Sequence, residues 1–113
     1  MNSRNKSILL GLACFGAALA ATQADDVKAL YEKECVKCHG SDGKGDTKMG
    51  KKLGAKDYTD PSVQQKMKDE SAFKAIKDGL KDKEDKTVMK ANKELTDDQV
   101  KALIAYMRTF QKK

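Results

Sequence analysis

The sequence predicts an all-α domain of about four helices joined by irregular loops. Three features point to it: apolar residues recur at helical spacing, capping residues and glycines punctuate those stretches, and no run alternates as a strand does. With 113 residues, the chain has room for one small domain. It contains three Phe, three Tyr and no Trp, so its core must be small and built mainly from Leu, Ile, Val, Ala and Met. Something besides side chains is expected to help fill it. A single Pro and eight Gly exclude collagen-like and Pro-rich classes, and no apolar run reaches the ~18 to 20 residues of a membrane span.

The first 24 residues are expected to be a cleaved secretory signal peptide. Arg4 and Lys6 form a basic start, Ile8 to Ala21 is an apolar stretch without charge, and Thr22-Gln23-Ala24 is a small-residue end before Asp25. Leu12-Ala13-Cys14 faintly suggests a lipoprotein cleavage box, but the apolar run before it is very short, so Cys14 is read as discarded. Removal of residues 1–24 takes Arg4 and Lys6 with it, lowering the net charge from +6 to +4. The remaining domain, residues 25–113, is expected to be exported, with no stable membrane insertion after cleavage.

Within that domain the first helix starts near Asp25. Val27, Leu30 and Tyr31 fall at i, i+3 and i+4, and Asp25 and Asp26 suit the positive end of the helix dipole. This helix runs into Cys35. Gly40, Gly43, Gly45, Gly50 and Gly54 then interrupt the chain, predicting an irregular loop from Gly40 to Ala55. Asp60 can cap a short helix with Pro61 in its first position, running through Met67. A further helix is expected from about Ser71, with Phe73 and Ile76 inward and Gly79 as its stop. Asp85 to Glu94 reads as irregular. Thr96 to Gln99 forms a capping box, Leu95 can staple onto Val100, and the last helix presents Val100, Leu103, Ile104, Met107 and Phe110 on one face.

After residue 24 the only cysteines and the only histidine are Cys35, Cys38 and His39, in the C-x-x-C-H pattern of covalent c-type haem attachment. Positions i, i+3 and i+4 share a helix face, so two thiols can reach the two vinyl groups while the imidazole turns toward iron. Other uses of these residues fit less well. A structural zinc site wants four ligands, and only three adjacent ones exist. A thioredoxin-like pair expects a strand-helix-strand setting, which the chain does not offer. A plain disulfide stays open in an oxidising compartment.

On Cys35-Val36-Lys37-Cys38-His39-Gly40, the Asp42-Gly43-Lys44-Gly45-Asp46 loop, Met89 and the Leu95-Thr96-Asp97-Asp98-Gln99 helix start, the sequence resembles the class I c-type cytochromes, specifically small single-haem bacterial ones. The resemblance covers essentially the whole chain after residue 24. It implies a class I cytochrome c fold around one covalent haem c, with thioethers at Cys35 and Cys38 and iron held by His39 and a methionine. It also implies a periplasmic, monomeric one-electron carrier and makes Tyr31 and Tyr106 packing residues where the first and last helices cross. Many family members have a Pro-Leu pair whose proline carbonyl accepts from the ligand imidazole. Lys52-Leu53 stands in its place here.

Among the candidate sixth ligands, Met107 falls on the apolar helix face and Met49 lies only 10 residues after His39. Met67, 28 residues on, ends a helix, and Met89, 50 residues on, sits in the stretch where the family places its ligand. Met89 is preferred, then Met67, then an unligated iron. With His39 on iron, no histidine is left as a general base and no cysteine as a nucleophile, so a non-enzymatic carrier is expected, with a ligand-binding or peroxidatic haem protein as the alternative. Lys44, Lys48, Lys51, Lys52 and Lys56 stand against Asp46 alone, a local excess of +4 that suits an acidic redox partner. Nucleic acid is not expected, because the chain has no recognisable binding motif or aromatic stacking platform.

Overall fold

The computed structural model describes residues 26–112; the expected signal peptide, residues 1–24, lies outside them. The first helix, α1, covers residues 26–34. Cys35 breaks its geometry for one residue, and α2 (Val36–His39) follows. Helical hydrogen bonding nevertheless bridges the break: Cys35 N donates to Tyr31 O at 2.9 Å and His39 N to Cys35 O at 2.9 Å. The two helices therefore deliver the Cys-x-x-Cys-His segment as a near-continuous rod.

The stretch expected to be wholly irregular contains a helix, α3 (Lys48–Leu53). Two of the glycines that read as breakers serve it instead. Thr47 caps its start by accepting from Gly50 N, and Gly54 ends it in the left-handed region at φ 79°. Gly50 costs helix stability, roughly 1 kcal/mol relative to Ala, but a Cβ there would run into the carbonyl oxygen of Cys38. Only glycine lets α3 lie this close to α2.

Asp60 caps α4 (Pro61–Lys66) with Pro61 in the first turn, as expected, and Met67 forms its extended C-cap. The next helix, α5 (Asp69–Asp78), begins two residues earlier than expected, since Asp69 and Glu70 favour its positive end. Gly79 then leads into an antiparallel hairpin, β1 (Leu80–Lys81) and β2 (Thr87–Met89), pairing Leu80 with Met89 and Lys81 with Thr87. Met89 therefore ends a strand rather than lying in irregular chain. The turn closes on Asp82, whose Oδ1 accepts from Glu84 N at 2.8 Å and Lys86 N at 3.0 Å.

The capping box of α6 (Asp97–Arg108) forms in both directions: Gln99 N donates to Thr96 Oγ1 at 3.1 Å, and Thr96 N to Gln99 Oε1 at 2.8 Å. Its buried stripe of Val100, Leu103, Ile104 and Met107 meets Tyr31 from α1, Ile76 from α5 and Leu95, and these seven residues form the buried apolar core. A polar tie extends it. Gln64 is buried and donates to Tyr58 O and Met107 O, while Arg108 donates to Gln64 O, Met67 O and Asp69 Oδ1. Beyond α6, the Phe110 ring covers Gly43, where any Cβ would enter that ring, and Lys112 N donates to Thr59 O at 2.9 Å.

Candidate functional site

The site grows from the α1–α2 rod. Cys35 and Cys38 are free, half-buried thiols. Burial, reinforced by Glu34 and by Cys38 itself, pushes the Cys35 thiol up to about 11, so it is held as a neutral thiol. His39 follows one residue after Cys38, and burial pushes its imidazole below the ordinary histidine range, toward the neutral form that binds metals. Its Nδ1 is fully buried with no hydrogen-bond partner. An unsatisfied buried nitrogen costs about 1 to 3 kcal/mol, which marks this ring as shaped for something other than packing. No carbonyl, that of Lys52 in place of the resembled family's proline included, reaches that nitrogen. The Tyr58 ring lies 5.5 Å from the imidazole, tilted by 42°.

The backbone under these side chains is fully occupied. A helix end leaves carbonyls without partners, and a buried one must find a donor. The Thr47 hydroxyl lies 2.8 Å from Lys37 O and 3.0 Å from Cys38 O. Gly45 N donates to His39 O at 2.9 Å, and Gly40 N to Val36 O at 2.8 Å. The Gly40 carbonyl accepts from the buried Tyr31 hydroxyl at 2.7 Å and from Gly43 N at 3.2 Å. Burial raises the Tyr31 phenol far above its ordinary range, so it stays a donor. The Val36, His39 and Gly40 carbonyls thus each have a donor of their own, and the Lys37 and Cys38 carbonyls share the single hydroxyl hydrogen of Thr47.

Two half-buried thiols, then a half-buried imidazole whose Nδ1 is enclosed and unpaired, on one helical rod, fit a covalently attached haem. Among the described residues no cluster of three or more His, Cys, Asp or Glu is arranged to hold a metal ion by itself. The methionines divide. Met107 is core, 6% exposed. Met49 lies on α3 in a cleft lined by Lys37, Lys48 and Lys52. Met67 and Met89 are both half-buried against the edge of the core, the first with its carbonyl pinned by Arg108 and the second at the end of β2.

The five lysines read from the sequence are all exposed: Lys48, Lys51 and Lys52 on α3, Lys44 and Lys56 in the flanking loops. The fold adds Lys37 of α2, which faces Lys48 and Lys52 across the Met49 cleft. Sequence reasoning passed over Lys37 because it occupies a variable position of the Cys-x-x-Cys-His motif. It missed Thr47 as well, although a threonine just before an unbroken helical stretch is a capping signal.

Comparison with known proteins gives a consistent picture. The family model described as Cytochrome c matches residues 24–111. No curated protein matches. Among solved structures, the KustC0563 c-type cytochrome is similar at 36% identity with a TM-score of 0.65, over 75% of this chain and 96% of that one. A mutant form of Kustc0563 is similar at 34% identity with a TM-score of 0.64, over 76% of this chain and 99% of that one.

Proposed function

The chain belongs to the cytochrome c family, whose members carry covalently bound haem c, and from that premise we propose that it is an exported, single-haem carrier of one electron at a time. The observation that supports this most is the half-buried imidazole of His39, its Nδ1 enclosed and unpartnered, beside two thiols on one helical rod. Cys35 and Cys38 would hold the group through thioethers, and His39 and Met89 would ligate its iron. When bound, the haem supplies a one-electron couple between ferric and ferrous iron.

The chain's own residues do the rest. The partners of the Val36 to Gly40 carbonyls keep the His39 backbone fixed, so the imidazole need not reorient between oxidation states. Burial shields the Nδ1 edge of the ring from water. Once His39 is a ligand, the chain after residue 24 has no other histidine to serve as a general base, which argues against enzyme chemistry. Residues 1–24 direct export and are removed, leaving a monomeric periplasmic protein; among the described residues no helix is long and apolar enough to cross a membrane. Lys44, Lys48, Lys51, Lys52 and Lys56, joined by Lys37, form a basic surface that steers an acidic redox partner, an effect on association rate more than on lasting affinity.

Carbon monoxide tests the ligation. The ferrous holoprotein should show no spectral change with the gas, and Met89→Ala should bind it while keeping covalent haem. Binding by the unaltered protein would support a ligand-binding haem protein instead. An unchanged Met89→Ala together with a gas-binding Met67→Ala would move the ligand to Met67.

A further inference from the structure

Tyr31 does more than fill the crossing of α1 and α6. Its side chain is 1% exposed, and its ring lies 5.1 Å from that of Tyr106 and 5.4 Å from that of Phe110. A phenylalanine would serve that packing equally well. The hydroxyl instead reaches out of the aromatic cluster to the carbonyl of Gly40, the residue directly after His39, at 2.7 Å and in full burial. Gly40 sits in the left-handed region at φ 81°, and the same two-residue stretch is gripped again by Gly45 N on His39 O. The peptides on the C-terminal side of the histidine are thereby fixed from two directions, one of them a side chain belonging to the helix-crossing core. Tyr106, in the same cluster, makes no such bond to the segment.

We propose that Tyr31 is a positioning residue for the axial histidine, its hydroxyl holding the Gly40 carbonyl and through it the orientation of the His39 ring. The inference rests on the reading of His39 as an iron ligand. Groups that orient a metal-bound histidine tune the metal although they never touch it, and second-sphere hydrogen bonding is one of the levers a protein has on a haem. Here that lever is mechanically joined to the packing of α6 on α1, so a change in the helix crossing reaches the iron through one hydroxyl.

The test compares Tyr31→Phe with Tyr106→Phe in the holoprotein. Both keep an aromatic ring, and only the first removes a bond to Gly40. Midpoint potential and the spread of the haem-methyl proton shifts in the ferric state, which follows the plane of the axial ligand, are measured beside thermal stability. Tyr31→Phe should shift the potential and alter the methyl spread, while Tyr106→Phe leaves both as in the parent. Three results would overturn the proposal: a Tyr31→Phe protein that is less stable but has an unchanged potential and spread, equal changes in both variants, or a failure of Tyr31→Phe alone to give folded holoprotein, which would make the hydroxyl a folding requirement. His39→Ala is a separate arm. If it keeps the parent's low-spin spectrum, the ligand assignment itself fails, whatever Tyr31 does.

Discussion

The attachment segment, from Tyr31 to Gly50, and the hairpin from Leu80 to Met89 carry the two proposed iron ligands and are held in opposite ways. In the first, side chains and amides from outside the motif reach in: Tyr31 and Thr47 with their hydroxyls, Gly45 with its N–H, Gly50 by letting a helix lie against Cys38. The hairpin mostly holds itself. Asp82 closes its own turn, Lys81 pairs with Asp85 across it, and every residue from Leu80 to Thr87 is exposed, Leu80 by 49%. Only Val88 and Met89 are partly buried, and Met89 packs against the core. Regions with few buried contacts and exposed hydrogen bonds open at low free-energy cost. The difference teaches that the histidine side is preorganised by tertiary structure, whereas the methionine side relies on a local turn.

Substitutions graded by expected effect probe this asymmetry. Gly50→Ala should be the most damaging, because the new methyl meets backbone rather than a movable side chain; denaturant titration of the holoprotein should show a loss of about 3 kcal/mol or more. Thr47→Val keeps the shape but removes the one hydroxyl hydrogen that the Lys37 and Cys38 carbonyls share, and the acceptor of Gly50 N. Its expected cost is about 1 to 2 kcal/mol by the same titration.

The hairpin variants should separate local from global effects. Asp82→Ala removes the turn's two side-chain bonds in an exposed setting, so global stability should fall by less than about 1 kcal/mol. Hydrogen exchange at the Glu84 and Lys86 amides should nevertheless speed up, and ferrous iron should bind carbon monoxide more readily than in the parent. Unchanged exchange at those amides would show that the hairpin is held by something other than its turn. Lys81→Ala should do least, under about 0.5 kcal/mol, since the Lys81–Asp85 pair is 60% and 84% exposed and screened by solvent.

Local signals were readable in the sequence and non-local ones were not. The Thr96 capping box, the Asp60-Pro61 start and the α6 stripe from Val100 to Met107 each lie within a few residues and stand in the structure where the sequence put them, whereas Phe110, expected on the same helix, lies past its end at Arg108. Cys35, Cys38 and His39 are equally local, five residues of one motif, although the helical spacing is interrupted at Cys35. α3 was hidden because Gly50 looks like a breaker until Cys38 is seen behind it. The hairpin was hidden because strands of two and three residues are too short to show alternation, and its turn is built from Asp82 rather than an Asn-Gly pair. Lys37 and the Tyr31 hydroxyl acquire their neighbours only on folding, so no spacing rule reveals them.

The Phe110 ring over Gly43 and the Lys112 amide on Thr59 also impose an order in time. On the export proposed above, amino end first, Cys35 and Cys38 emerge well before residues 110–112. During that interval the loop from Gly43 to Thr59 has no covering ring, and Tyr31 has neither of its aromatic neighbours. The aromatic cluster around Tyr31 and the cover over Gly43 are thus completed last, so the loop behind the attachment segment gains its final packing only when the whole chain has arrived.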